Sequence, residues 1–278
     1  PHRSECNYPY RFLSGVGLAF KLAVAVRNAL HNKAGWGKDR LPNMKRHLDL
    51  VALGTIADVA PLTGENHVLA RHGLEVLTTT DKAGLVALKA VADVDNQVNA
   101  RSVGFALGPR LNAAGRLGKA DSGFHLLTSV DLKEAKELAR ILDGINQERK
   151  KIQEQVQEEA EYLIGREVNL ENDMVIVLAS ENFHSGVVGI VASRIVEKYF
   201  RPVVLIALEN GIGKGSGRSI PRFNLHRAFS DCTSHLVQFG GHAYAAGLTI
   251  DEGKVDSFRD AMNEVGQRIL SEEDLVPE

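Results

Sequence analysis

Apolar residues recur at three-and-four spacing between Ser14 and His31, where Val16, Leu18, Ala19, Leu22, Ala23, Ala25, Val26 and Leu30 predict a helix rather than a strand. The segment is apolar on most sides, so a buried helix is expected. The same period predicts helices over about 48–57, 66–77 and 85–91, set apart by Pro61-Leu62-Thr63-Gly64 and by the polar stretch 78–81. Strand patterns are scarce in this half. If it belongs to an α/β domain, most of that domain's strands are expected upstream of Pro1.

From Asp131 to Ile164 the pattern is one long helix, opened by Asp131 with Glu134 three residues on and closed at Gly165. At about 1.5 Å per residue it spans roughly 50 Å, more than one small domain needs, and it is read as a connector. Beyond it the period changes. Residues 173–179 and 202–208 read as buried strands, 185–200 and 225–238 as helices, 247–250 as a short strand and 255–270 as a last helix, with the acidic tail 271–278 expected to fray. Strand, helix, strand at this spacing is a βαβ crossover. The reading is an α/β protein in three parts: a mostly helical 1–130, a connecting helix over 131–166 and a compact α/β domain over 167–278.

Composition narrows the class without choosing a function. The 278 residues are 44% hydrophobic and 24% charged, which excludes a disordered or collagen-like chain. No apolar run approaches the roughly 20 residues of a membrane span, and no signal-peptide pattern opens the chain, so the cytoplasm is the expected compartment. Beginning at Pro1 rather than Met, the chain is read as an excised piece. A net charge of −2 argues against holding duplex DNA by bulk charge, so any nucleic-acid contact should be a local groove. Cys6 and Cys232 lie in no zinc spacing, and a disulfide framework is not expected.

Four clusters could carry chemistry. Gly211-Ile-Gly-Lys-Gly-Ser-Gly-Arg-Ser219 follows a strand but threads neither dinucleotide nor P-loop motif. It reads as a loop in which Gly215 and Gly217 let backbone N–H groups approach a ligand, while Ser216, Arg218 and Ser219 offer phosphate contacts; a flexible hairpin is the plain alternative. Phe239-Gly-Gly-His-Ala-Tyr-Ala-Ala-Gly247 puts Gly240 and Gly241 beside His242, whose imidazole can donate or accept a hydrogen bond, although a lone histidine is more often structural. Gly108–Arg116 offers Arg110, Asn112 and Arg116, or simply a helix boundary with exposed cations. Asp58 is an acid in the apolar stretch 54–61, and one Asp makes no metal site.

Read in order, these blocks resemble the single-strand-specific exonucleases of the DHH phosphoesterase superfamily. Leu48–Leu62 resembles the fourth motif of the DHH domain and Gly104–Leu117 the block after it; His184–Arg194, Gly215–Ser219 and Phe239–Gly247 resemble the DHH-associated domain. The resemblance implies the C-terminal part of a DHH domain followed by a DHH-associated domain. It implies stepwise release of mononucleotides from the 5′ end of single-stranded DNA in repair and recombination, with two Mn²⁺ or Mg²⁺ ions and Asp58 as one ligand. By the same resemblance Arg110, Asn112, Arg116, Ser216, Arg218 and Ser219 would hold the 5′ phosphate across an interdomain cleft, whose width the long helix would set. His242 would lie near the scissile phosphate, and Tyr244 is read as packed. The family's Asp-His-His triplet and its OB-fold are not in this sequence, so the chain is expected to lack most metal ligands and to be inactive alone. Another DHH phosphoesterase, acting on oligoribonucleotides, phosphonucleotides or cyclic dinucleotides, is an alternative. A non-catalytic nucleic-acid-binding module is the other.

Overall fold

The structure, a computed structural model, describes residues 3, 5–94, 97–118 and 121–277, which fall into two compact units divided between Gln147 and Glu148. The first unit is helical, with no β-strand among its described residues: α1 (Gly15–Ala34), α2 (Leu48–Ala57), α3 (Gly64–Thr78), α4 (Ala83–Val91), the single turn α5 (Ala100–Ser102), α6 (Gly108–Arg116), α7 (Asp121–Thr128) and the start of α8 (Leu132–Glu167). A π turn, Val103–Leu107, joins α5 to α6. The segment 108–116 is thus a full helix rather than a helix boundary. Helices α2 and α3 meet at Gly73, where a Cβ would stand 2.2 Å from the Leu48 carbonyl, and α4 meets α7 at Gly84, 1.9 Å from the Leu126 carbonyl. Leu53, Leu77, Leu85, Leu88, Leu107, Leu126 and Leu142 fill the core between them.

Helix α1 forms as the spacing predicts, capped by Ser14, whose Oγ accepts from Gly17 N and pairs with Thr55 Oγ1 at 2.8 Å. Its expected burial is corrected: only Gly17 is buried, while Leu22 and Val26 are 67% and 50% exposed. Apolar periodicity marks a stripe that could be covered, and among the described residues α2 covers one side of it, where Val16 packs on Gly54.

Asp49, on α2, is fully buried. Its carboxylate accepts from Lys82 Nζ at 2.8 and 2.6 Å, from Thr80 Oγ1 at 2.8 Å and from the Leu50 N–H at 2.8 Å. At the other end of α2 the chain turns at Asp58, and Val59 takes φ 55, a left-handed conformation that costs a β-branched residue ~1–3 kcal/mol. Val59 is 87% exposed, so it packs little in return. Val59→Asn, tolerant of that region, is expected to raise unfolding stability by about 1 kcal/mol in urea titrations; an unchanged or lowered midpoint would show that the turn stores no such strain.

Helix α8 begins as expected at Asp131, whose Oδ1 accepts from the N–H groups of Lys133 and Glu134. It does not stop at Gly165 but continues through it to Glu167. Ala135, Ala139 and Leu142 bury in the first core, and Val156, Ala160, Leu163 and Ile164 in the second.

The second unit is a five-stranded sheet in the order β1-β2-β3-β5-β4, built from β1 (Ile176–Ser180), β2 (Val203–Glu209), β3 (Ile212–Arg218), β4 (Leu236–Gly241) and β5 (Ala245–Asp251). β1 and β2 are parallel, linked by α9 (Val188–Tyr199), as the crossover pattern predicts; the other pairs are antiparallel. α10 (Leu225–Asp231) and α11 (Val255–Ile269) close one face over Val177, Val204, Ile206, Phe229 and Phe258. α9 and the end of α8 close the other over Ile176, Leu178, Leu205, Val191 and Ile195.

Three expectations are corrected here. The cluster 211–219 is not a ligand loop: Ile212–Arg218 is the strand β3, the second arm of a hairpin with β2, which is the plain alternative. The helix expected over 225–238 stops at Asp231 and gives way to β4, and residues 271–275 form a capped 3₁₀ turn, with Asp274 accepting from Ser271 N and Oγ, instead of fraying. Among the described residues no helix is long and apolar enough to cross a membrane.

Candidate functional site

In strand β3 alternate residues face opposite sides of the sheet. Gly213, Gly215 and Gly217 face the covered side: a Cβ at Gly215 would stand 2.8 Å from Leu248 Cδ1, and one at Gly217 3.2 Å from Leu225. Both residues are also paired on two sides, Gly215 with Ile206 and Leu248, Gly217 with Val204 and Ala246. The expectation that Gly215 and Gly217 open backbone N–H groups to a ligand is therefore corrected. They are glycines because the core leaves no room for a side chain, and the ladder occupies their backbone.

Lys214, Ser216 and Arg218 stand on the opposite face. Arg218 Nη1 donates to Ser216 Oγ at 3.0 Å and to the Gly217 carbonyl at 2.8 Å, which fixes the guanidinium beside the hydroxyl. Both lie against the first turn of α9, where a methyl at Gly189 would stand 2.8 Å from Ser216 Oγ and 2.9 Å from Arg218 Nη2. At the same end of the sheet Arg218 pairs with Ala245 and the Ser219 N–H bonds the Tyr244 carbonyl. Ser219 Oγ donates to the Phe223 carbonyl at 2.6 Å, so its hydroxyl proton closes a local turn.

His242 sits in the tight turn between β4 and β5, with its N–H on the Ala245 carbonyl at 2.9 Å and its Nδ1 accepting from Tyr244 N at 3.3 Å. Gly241 takes φ 139, and a Cβ there would stand 2.5 Å from the Ala245 carbonyl oxygen, so only glycine makes this turn. Tyr244, expected to be packed, is 54% exposed, because the turn is held through its carbonyl rather than its ring. Blocks that the sequence presents as separate loops are thus one surface: the first turn of α9, the outer face of β3 and the β4–β5 turn.

The first unit separates its predicted residues. Arg110 is mostly buried and donates to Asp143 Oδ1 at 2.8 Å and to the carbonyls of Ala106 and Val91, a clamp inside the helical core rather than a displayed cation. The signal for this, Asp143 on α8, is 33 positions away in sequence. Asn112 and Asp58 line one cavity of about 460 Å³ with Val16, Leu53 and Thr128, whereas Arg116, exposed at the end of α6, does not line it. Asp58 is exposed at its mouth. Among the described residues no three His, Cys, Asp or Glu side chains gather where they could hold a metal ion. Both cysteines are free, and burial pushes the Cys232 thiol up to about 11, so it offers no nucleophile at neutral pH.

Comparison with known families matches residues 172–267 to the DHHA1 domain. Over its whole length the chain is 41% identical to the single-stranded-DNA-specific exonuclease RecJ of Bacillus subtilis (strain 168), covering 34% of that protein. Among solved structures it is similar to RecJ from Thermus thermophilus in complex with Mg²⁺, with a TM-score of 0.82 and 34% identity over 95% of this chain and 39% of that one. The Mn²⁺ complex from the same organism gives a TM-score of 0.80 and 35% identity over 93% and 37%. The chain spans about a third to a half of the length of the curated relatives it matches.

Proposed function

The chain belongs to the RecJ family, and from that premise we propose that it supplies the phosphate-holding part of a metal-dependent exonuclease that releases mononucleotides from the 5′ end of single-stranded DNA. The observation that carries this is the placement of Arg218 and Ser216 together against Gly189 on an outward sheet face. A guanidinium held in plane by its own neighbours presents a fork suited to a phosphate, and it needs no ordering when the ligand arrives. Ser216 Oγ, already accepting from Arg218, turns its proton outward to a phosphate oxygen. His242 and the exposed Tyr244 ring stand at the same end of the sheet, the first as a donor toward the bound strand and the second as a surface on which a base can stack. Arg110 takes no part in this reading, since three of its donors are spent in the helical core.

The relatives' metal use supports Mn²⁺ or Mg²⁺ as the cofactor, whose general contribution is to lower the pKa of a bound water and neutralise phosphoryl charge. The described residues do not form such a centre: Asp58 is one carboxylate at a cavity mouth, and no donor set surrounds it. Asp58 would contribute a single ligand, and the hydrolytic step is not assigned to these residues. The same reading places the protein in the cytoplasm, with DNA repair and recombination as its setting.

The test is direct binding of short single-stranded DNA, with and without a 5′ phosphate, followed by fluorescence anisotropy. The expected outcome is at least tenfold tighter binding of the phosphorylated strand, from two or more charge-assisted contacts. Equal affinities would remove the terminal-phosphate role and favour a module that binds strands without reading their end.

A further inference from the structure

The outward face of β3-β5-β4 carries more than the Arg218 end. Three rungs cross it in register. Arg218 pairs with Ala245; Ser216 pairs with Gly247, which pairs with Gly240; and Lys214 pairs with Thr249, which pairs with Gln238. Helix α9 covers this face over β2 and stops at β3; β5 and β4 turn outward Ala245, Gly247, Thr249, Gly240 and Gln238, with Asp251 at the far end, too little apolar area to recruit a helix. The middle rung is flat. A Cβ at Gly240 would meet nothing within 4 Å, and one at Gly247 only the Gly215 carbonyl at 3.7 Å. A cavity of about 490 Å³ opens over these glycines, with Lys214, Gln238 and Thr249 on its rim and Gln238 Nε2 donating to Thr249 Oγ1.

Charge gives the face a direction. Arg218 stands at one end and Lys214, exposed and making no ion pair among the described residues, about 13 Å further along the strand. One rung beyond, Ile212 is flanked by Glu209 and Asp251, two carboxylates that repel phosphate. The cationic track is therefore bounded beyond Lys214.

We infer that Lys214 is a second phosphate subsite and that the Gly240–Gly247 floor seats the nucleotide between it and Arg218. The inference rests on the terminal-phosphate reading given above. A strand whose 5′ phosphate lies on Arg218 runs along β3 toward Lys214, and its next phosphates meet the ammonium within four nucleotides at ~3.4 Å each, or fewer when extended. A base needs a flat floor without side chains, and the two outward glycines give one; Gln238 and Thr249 supply edge contacts that any base can accept. The subsite recognises a strand by its continuing backbone, so a mononucleotide cannot use it.

The test compares 5′-phosphorylated thymidine mononucleotide and tetranucleotide on the full chain and on Lys214→Gln and Gly247→Val, by calorimetry at two salt concentrations. Expected are tighter binding of the tetranucleotide by the unaltered chain and a roughly tenfold loss on the tetranucleotide alone for Lys214→Gln. The salt slope of that variant should fall by about one phosphate. Gly247→Val, whose side chain projects into open space and whose residue type favours strands, should weaken the mononucleotide and the tetranucleotide alike, since the floor seats the nucleotide that carries the 5′ phosphate. For Lys214→Gln, equal losses on both ligands, or no loss on either, would overturn the subsite, and an unaffected mononucleotide in Gly247→Val would overturn the floor. A 5′-hydroxyl tetranucleotide separates the two readings: if it binds the unaltered chain as tightly as the phosphorylated one, the terminal-phosphate reading has failed, whereas a phosphate preference with no effect of Lys214→Gln fails only the subsite.

Discussion

Asp49→Ala is expected to cost the first unit about 3–5 kcal/mol of folding stability, a large share of the ~5–15 kcal/mol that holds a typical domain. Asp49 is fully buried and Lys82 mostly so, and the carboxylate accepts four hydrogen bonds, two from Lys82 Nζ and one each from Thr80 and the Leu50 amide. Lys82 Nζ also reaches the Arg46 carbonyl, so the pair ties the start of α2 to the start of α4. Removing the carboxylate leaves an ammonium in the protein interior with one carbonyl for company, and the penalty is that of an uncompensated buried charge rather than of one lost bond. Urea unfolding followed by the fluorescence of Trp36, the single tryptophan and part of the same unit, reads this unit directly. Asp49→Leu with Lys82→Met removes both charges and is expected to recover most of the loss. A single-variant cost below about 1 kcal/mol would show that the pair is solvated and contributes little.

This pair also marks what the sequence conveys and what it withholds. Helix α2 was legible to the residue, because apolar groups recur at helical spacing, but the acid inside it gives no hint that its partner is Lys82, a helix-cap position 33 residues on. Arg110 illustrates the converse error. An arginine beside glycine and asparagine looks displayed, and only the fold brings Asp143 to it. The parallel β1 and β2 could be found since both faces are buried and the run is continuously apolar. β3 could not, because its buried positions are Gly213, Gly215 and Gly217: packing so close that no side chain fits reads, in sequence, like a flexible loop. Once β3 is a strand, the two glycine clusters become neighbours through β5, and Gly189 meets Ser216 and Arg218, a juxtaposition that no spacing encodes. The burial of α1 is not legible for a different reason: an apolar stripe records that a helix can be covered, and coverage depends on what lies beside it.

Arg218→Ala is expected to weaken binding of a 5′-phosphorylated single strand by about 10- to 100-fold, while a 5′-hydroxyl strand loses less than about threefold, as read by anisotropy titrations at fixed salt. The magnitude follows from one or two charge-assisted hydrogen bonds at ~1.5–3 kcal/mol each, and the difference between strands follows from where the charge lies. An internal phosphate is monoanionic and can be met by any cation along the track, whereas a terminal phosphate carries extra charge and an additional oxygen that only a fixed fork can meet in plane. Ser216 and the Gly217 carbonyl fix that fork, so its loss also frees the Ser216 hydroxyl from its donor and blurs the second contact. Arg218→Lys retains the charge but not the fork, and should recover less than half of the lost free energy. The fold is expected to persist in both variants, because the side chain is half-buried on the outer face and belongs to neither core. Equal losses on the two strands would mean that Arg218 senses backbone charge in general, and the end-reading role would then pass to another group on the same face, with His242 the nearest candidate along the β4–β5 turn.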